Sequence, residues 1–114
     1  MEEKNAVIES VSLSKADHGV LSMWLMLDYD GSGQGFGGYS LYLPKSFKHS
    51  NNQWNYAGHF IFRCLEIAGV DEIHQLEGKS IRVRLDSPYG SIISIGHIIK
   101  DDWFDPKKDF TELP

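Results

Sequence analysis

Residues Val20 to Tyr29 alternate apolar and other side chains with a period of two, and only a β-strand turns that period into one apolar face. The predicted apolar face consists of Leu21, Met23, Leu25, Leu27 and Tyr29. A second alternation runs from Ala6 to Ser14, with Val7, Val11 and Leu13 on one face. The turn signal Asp17-His18-Gly19 separates the two segments, which therefore predict an antiparallel hairpin.

Residues Tyr56 to Ala68 have the helical period instead, and they predict the main helix. The expected buried stripe consists of Ala57, Ile61, Cys64, Leu65 and Ala68, widened by Phe60 and Ile67. Asn55 is a suitable N-cap and Gly69 a suitable residue just beyond the C-terminal end.

Three further strands are predicted, at Tyr39–Leu43, Ser80–Asp86 and Ser91–Lys100. A short helical turn is expected between Asp71 and Leu76, and a polar surface loop between Lys45 and Asn55. The order β-β-β-α-β-β predicts an α+β fold, an antiparallel sheet of about five strands with one main helix packed on one face. A small half-open barrel is the alternative.

The 114 residues predict a single domain over 1–114, with a loose tail over 106–114. The formal charge of −5 argues against non-specific binding to nucleic acid. Cys64 is the only cysteine, which excludes an intramolecular disulfide and a cysteine-based zinc site. The chain shows no signal segment and no apolar run long enough for a membrane span, so we expect a cytoplasmic protein that binds no membrane.

The segment from Asp30 to Tyr39 contains five glycines among its ten residues and is predicted to be a loop between two strands. It matches neither a P-loop nor a dinucleotide fingerprint, and its backbone N–H groups could attract an anion. Phe36 is expected to be a contact anchor, with a core plug as the alternative. The candidate binding residues in this segment are Gly33, Gln34, Gly35, Phe36, Gly37 and Tyr39.

One face of the predicted helix adds His59, Arg63 and Glu66 at helical spacing, with Phe62 beside them. We add His59, Phe62 and Arg63 to the candidate binding site. The alternative is a solvated helix face with an Arg–Glu pair.

Two other classes of function stay open. A small hydrolase-type enzyme would use His59 or His97 with Asp101, but no catalytic, cofactor-binding or metal-ligand motif is present. A nucleic-acid accessory protein would use Arg82 and Arg84 with nearby aromatic side chains, namely Tyr89 and Trp103. We assign no catalytic residue, no cofactor and no metal.

Four motifs together resemble small uncharacterised proteins of tailed bacteriophages and prophages: Gly31–Tyr39, Ala57-Gly58-His59, Ile95-Gly96-His97 and Trp103–Pro106. The resemblance extends from about Asn5 to Pro106 and brings no catalytic residues with it. It implies an accessory protein in the bacterial cytoplasm, of a kind that often blocks host machinery, including immune systems such as CRISPR. The expected function is therefore a non-enzymatic binding protein that blocks a host protein or captures a small nucleotide signal. The sequence names neither the partner nor the oligomeric state.

Overall fold

The computed structural model describes residues 2–17, 20–39, 41 and 56–112. Its strands are β1 Glu2–Asp17, β2 Val20–Tyr29, β3 Ser32–Gly37, β4 Ser80–Leu85, β5 Ile92–Gly96 and β6 Trp103–Phe104. Its helices are α1 Tyr56–Ala68, α2 Pro106–Glu112 and the short 3-10 helix Ile73–Gln75. The strands form an antiparallel sheet in the order β3-β2-β1-β4-β5-β6. The predicted α+β class, with a sheet and one main helix, is confirmed.

The predicted hairpin is β1 and β2, and Met23, Leu25 and Leu27 are buried as expected. The predicted apolar face of β1 is wrong at Val7, which is 41% exposed. The register shifts between Ile8 and Ser10, as in a β-bulge with one extra residue. The shift places Val7 on the opposite face from Val11, and Ala6 and Ile8 are buried instead.

The glycine-rich segment is a strand, β3, and not the predicted loop. The chain reverses at Asp30 and Gly31, whose φ values of 53° and 73° are those of a two-residue hairpin turn. The strand predicted at Tyr39–Leu43 is not found at Tyr39 or Leu41, and its other residues lie outside the described ones. The Leu41 N–H still donates to the Leu21 carbonyl of β2, at 3.1 Å.

Helix α1 has the predicted bounds, but its buried stripe is Ala57, Phe60, Cys64 and Ile67. Ile61 and Leu65, which we expected at the centre of the stripe, are only half-buried. The helix ends as predicted at Gly69, where φ is 71°. The N–H groups of Gly69 and Val70 there donate back to the carbonyls of Glu66 and Leu65, at 3.1 and 3.0 Å. The predicted N-cap Asn55 and the polar loop 45–55 lie outside the described residues.

The C-terminal elements differ from prediction. Strand β5 ends at Gly96 and not at Lys100. Over the part that is described, the predicted loose tail is wrong, because Pro106–Glu112 is helix α2. Proline suits a first helical position, and the preceding Asp105 accepts a hydrogen bond from the Lys108 N–H at 3.1 Å. The Phe110 ring anchors the helix 4.8 Å from that of Tyr56.

The sheet curls so that β3, at one edge, approaches β5 and β6 on the opposite side. The rings of Phe36 on β3 and Phe104 on β6 are 6.4 Å apart, and Phe60 of α1 packs against both, at 6.0 and 5.4 Å. The Gln34 side chain accepts a hydrogen bond from the Ile92 N–H at 2.7 Å. The fold is therefore a sheet rolled around an aromatic core.

Candidate functional site

The glycines of β3 share one face of the sheet with two large exposed side chains. Gly35 pairs with Met26 and Gly37 with Trp24, and directly paired residues lie on the same face of a sheet. Trp24 and Met26 are each 42% exposed. The alternate residues of β3, Gln34 and Phe36, point to the core side. We call the surface of Gly33, Gly35, Gly37, Trp24, Met26 and Asp28, together with Val7, Ser10 and Ser12 of β1, the open face.

Steric demand explains two of these glycines: the Trp24 indole lies against Gly35, and the backbone of β2 lies against Gly37. A Cβ atom at Gly35 would stand 2.9 Å from Trp24 Cε3. At Gly37, where φ is 125°, a Cβ atom would stand 2.1 Å from the Met23 carbonyl oxygen. At Gly33 the nearest atom would be 3.9 Å away, so a side chain fits there. Part of the glycine content of this segment is therefore explained by the packing of the Trp24 side chain.

Small and acidic side chains complete the open face. Ser10 pairs with Met26 and Ser12 with Trp24 across β1 and β2. The exposed Asp28 adjoins Met26 along β2, and the exposed Glu9 lies at the bulge of β1. The result is a surface with the exposed apolar side chains Trp24, Met26 and Val7, small residues around them and negative charge at its border.

The prediction that Phe36 is a contact anchor is wrong, because this side chain is 2% exposed and belongs to the core. The strand conformation of β3 turns it inward opposite Leu25. Gln34 is also structural: its Nε2 donates to the Tyr29 hydroxyl at 2.7 Å and to the Gly90 carbonyl at 3.2 Å. Tyr39 is half-buried, with its ring 6.1 Å from that of Phe60.

Two of the predicted helix-face residues, His59 and Arg63, are held by polar contacts within the chain. His59 Nε2 lies 2.8 Å from Asp109 Oδ2 of α2. Arg63 donates to Asp102 Oδ1 at 2.8 Å, to the Trp103 carbonyl at 3.0 Å and to Glu66 at 2.8 Å. Phe62 lies apart, 62% exposed. The contacts of His59 and Arg63 hold α1 against α2 and the β5–β6 connection.

Arg63 also sets the protonation of Asp102. Hydrogen bonds from its guanidinium favour the ionised carboxylate, so the pKa of Asp102 lies below its usual value of 3.8. Burial has the opposite effect on a thiol: it raises the pKa of Cys64 to about 12. Cys64 is thus a protonated core side chain.

The residues of the enzyme alternative have separate structural contacts. His97 Nδ1 accepts hydrogen bonds from the N–H groups of Ile99 and Lys100, both at 3.0 Å, whereas His59 pairs with Asp109. Across the described ranges, no group of three or more His, Cys, Asp or Glu residues is placed to hold a metal ion.

The basic residues of the nucleic-acid alternative stack on Trp103. The guanidinium carbons of Arg82 and Arg84 lie 4.8 and 3.7 Å from the centre of its ring, and Trp103 itself lies against Gly96. Both arginines pair with Glu3, at 3.6 and 3.3 Å. Tyr89 is fully exposed. The arginine charges are therefore partly neutralised within the chain.

Comparisons with known proteins give no match: no protein family, no curated protein and no solved structure is significantly similar to this chain. In the part of the chain that the structure describes, no helix is long and apolar enough to cross a membrane.

The prediction from sequence missed Trp24 and Met26 as surface residues of the candidate site. A signal was present: glycines at 33, 35 and 37 alternate with Gln34 and Phe36, which is the period of a strand. A strand preceded by the turn residues Asp30 and Gly31 places those glycines opposite the non-core positions of β2.

Proposed function

We propose that this chain is a non-enzymatic binding protein that docks a protein partner on the open face. The observation that carries the proposal is the pair Trp24 and Met26, each 42% exposed on a face whose other residues are mostly glycine and serine. Tryptophan supplies large contact area at interfaces, and methionine adapts to irregular apolar surfaces. Such a pair on an open surface suits a macromolecule better than an enclosed small ligand.

Charge defines the partner further. Asp28 and Glu9 border the apolar pair, and the whole chain carries a formal charge of −5. A partner with an apolar patch flanked by basic side chains is complementary to this surface. The resemblance to accessory proteins of tailed phages adds that the partner belongs to a bacterial host and that binding in the cytoplasm blocks it.

The structural contacts of the other candidate residues weaken the two alternatives. His59 and His97 have different partners, which gives no support to a shared acid–base site. Arg82 and Arg84 share Glu3, which weakens any attraction of a phosphate backbone.

Replacing Met26 with Glu tests the proposal, because it places a charge at the centre of the open face. The control is Ile99→Glu, which places the same charge at an 83% exposed apolar residue in the β5–β6 connection. We expect one host protein to co-purify from bacterial lysate with the parent chain and with Ile99→Glu, but not with Met26→Glu. Thermal melts check that both variants are folded.

Three results would count against a host-protein partner. Retention of the same proteins by both variants would remove the open face as the binding surface. A nucleotide that co-purifies without any protein would favour signal capture instead. A dimer of the parent chain that becomes monomeric in Met26→Glu, measured by sedimentation, would show that a second copy covers this face.

A further inference from the structure

A groove of about 410 Å³, which shares no lining residue with the open face, lies where the chain leaving β3 approaches β5 and α2. Its lining includes Tyr39, the apolar side chains of Ile92 and Ile93 on β5, and Lys107 and Lys108 of α2. Its volume falls within the range of small-molecule sites in proteins, which is about 300–1,000 Å³.

The walls of the groove are fixed by contacts with the core. The Tyr39 ring packs against Phe60 at 6.1 Å and edge-on against Phe110 at 6.1 Å. Ile92 is 8% exposed, and its N–H is held by Gln34. A ligand would therefore meet a preformed apolar wall and would not have to order it.

The polar groups at the groove include both signs of charge. Lys107 and Lys108 are exposed, and neither forms an ion pair with another described residue. Asp105 caps α2 through one carboxylate oxygen, which accepts from the Lys108 N–H. Burial, aided by the charge of Asp105, raises the pKa of the Tyr39 hydroxyl, which therefore stays protonated and able to donate.

We propose that this groove binds a small amphipathic anion, with its apolar body against Ile92, Ile93 and Tyr39 and its oxyanion at Lys107 and Lys108. The oxyanion is a phosphate or a carboxylate, and both take charge-assisted hydrogen bonds from ammonium groups. The Asp105 carboxylate lies beside the Lys108 N–H and repels an anion, so the oxyanion contacts the ammonium ends of the two lysine side chains and not the backbone of α2. This site is independent of the open face and of the proposed protein partner.

Phenyl phosphate is a suitable probe, because it combines an aromatic ring with an oxyanion. In amide NMR spectra of the full chain, we expect saturable shifts centred on Ile92, Ile93, Lys107 and Lys108, with a dissociation constant in the millimolar range that is usual for so small a ligand. Inorganic phosphate lacks the ring and benzyl alcohol lacks the charge, so each should bind about tenfold more weakly. Benzoate distinguishes the two oxyanions: equal affinity indicates a carboxylate ligand, and weaker binding indicates a phosphate.

A double variant with Lys107→Gln and Lys108→Gln tests the role of the charges. We expect it to bind phenyl phosphate about tenfold more weakly. Lys79→Gln, at another exposed lysine, is the matched control and should bind as the parent does. Equal binding by the double variant, shifts spread over the whole surface, or no saturation would each overturn the proposal.

Discussion

Phe36 and Phe62 are phenylalanines in opposite environments. Phe36 is 2% exposed and packs against the rings of Phe60 and Phe104, whereas Phe62 is 62% exposed on α1. In the sequence, Phe36 has glycine on both sides, and this neighbourhood suggests a loop tip. Because β3 is a strand, its period of two turns the Phe36 side chain toward the core. The sequence prediction assigned the glycines to a loop and therefore did not apply this period.

Replacing Phe36 with Ala should lower the free energy of unfolding by about 3–5 kcal/mol, as expected for a buried aromatic side chain. The matched variant Phe62→Ala should change it by less than about 0.5 kcal/mol, because its ring lies in water. Urea titrations of both variants measure the difference. Equal effects would mean that Phe36 is not a core residue.

Asp102 should give the stability of the protein an acid-dependent component. Because Arg63 depresses its pKa below 3.8, the folded state binds this proton more weakly than the unfolded chain does. The stabilisation is therefore complete above the unfolded pKa and is lost as the pH falls through the lower folded value.

The variant Asp102→Asn should be less stable than the parent near neutral pH, and this deficit should shrink below about pH 4. The neighbouring Asp101→Asn is the control, since Asp101 forms no ion pair with the described residues. Unfolding midpoints measured across this pH range test the prediction. A deficit for Asp102→Asn that stays constant down to about pH 2 would contradict it.

At the scale of elements, the features set by strong local sequence patterns were predictable, and those set by tertiary contacts were not. The bounds of α1 followed from its helical period and from Gly69. The faces of β4, with Val83 buried and Arg84 outside, followed from strict alternation. The bulge near Glu9 left a signal that the prediction did not use: the two polar residues Glu9 and Ser10 between Ile8 and Val11 break the alternation. Strand β3 was missed because glycine disfavours strands in general, and Trp24 supplies the packing that glycine lacks.

The glycines of β3 should differ in their tolerance of a methyl group. Gly37→Ala should destabilise the protein by more than about 1 kcal/mol, because φ is 125° and the new Cβ atom meets the Met23 carbonyl. Gly33→Ala should be neutral or slightly stabilising, because the site is open and alanine has less backbone entropy to lose. Thermal unfolding of the pair provides the measurement, and comparable losses at both positions would contradict the β3 register.

At the scale of the molecule, the predicted site residues do not form one surface. Gly33, Gly35 and Gly37 lie on the open face of the sheet, whereas His59 and Arg63 of α1 pair with residues on α2 and the β5–β6 connection. The fold class was predictable because periods and turns are local in sequence. The curl of the sheet was not, because it depends on contacts such as Phe36 with Phe104, which are distant in the chain.

The bridge from Gln34 to the start of β5 has a consequence for the order of folding. Its contacts with Gly90 and Ile92 join residues 56 and 58 positions apart, so forming them requires the closure of a long loop. We expect this bridge to form after the rate-limiting step. Gln34→Ala would then speed unfolding by about tenfold and leave the folding rate nearly unchanged.

Gln75→Ala is the contrasting variant, because the Gln75 side chain accepts from N–H groups only three and four residues away, those of Glu72 and Asp71. Stopped-flow folding and unfolding rates of both variants give their φ-values. A Gln34 variant that folds more slowly and unfolds at the parent rate would show that the sheet rolls up before the transition state. If the expected result holds, the contacts between β3 and the start of β5 are the first to break when the rolled sheet unfolds.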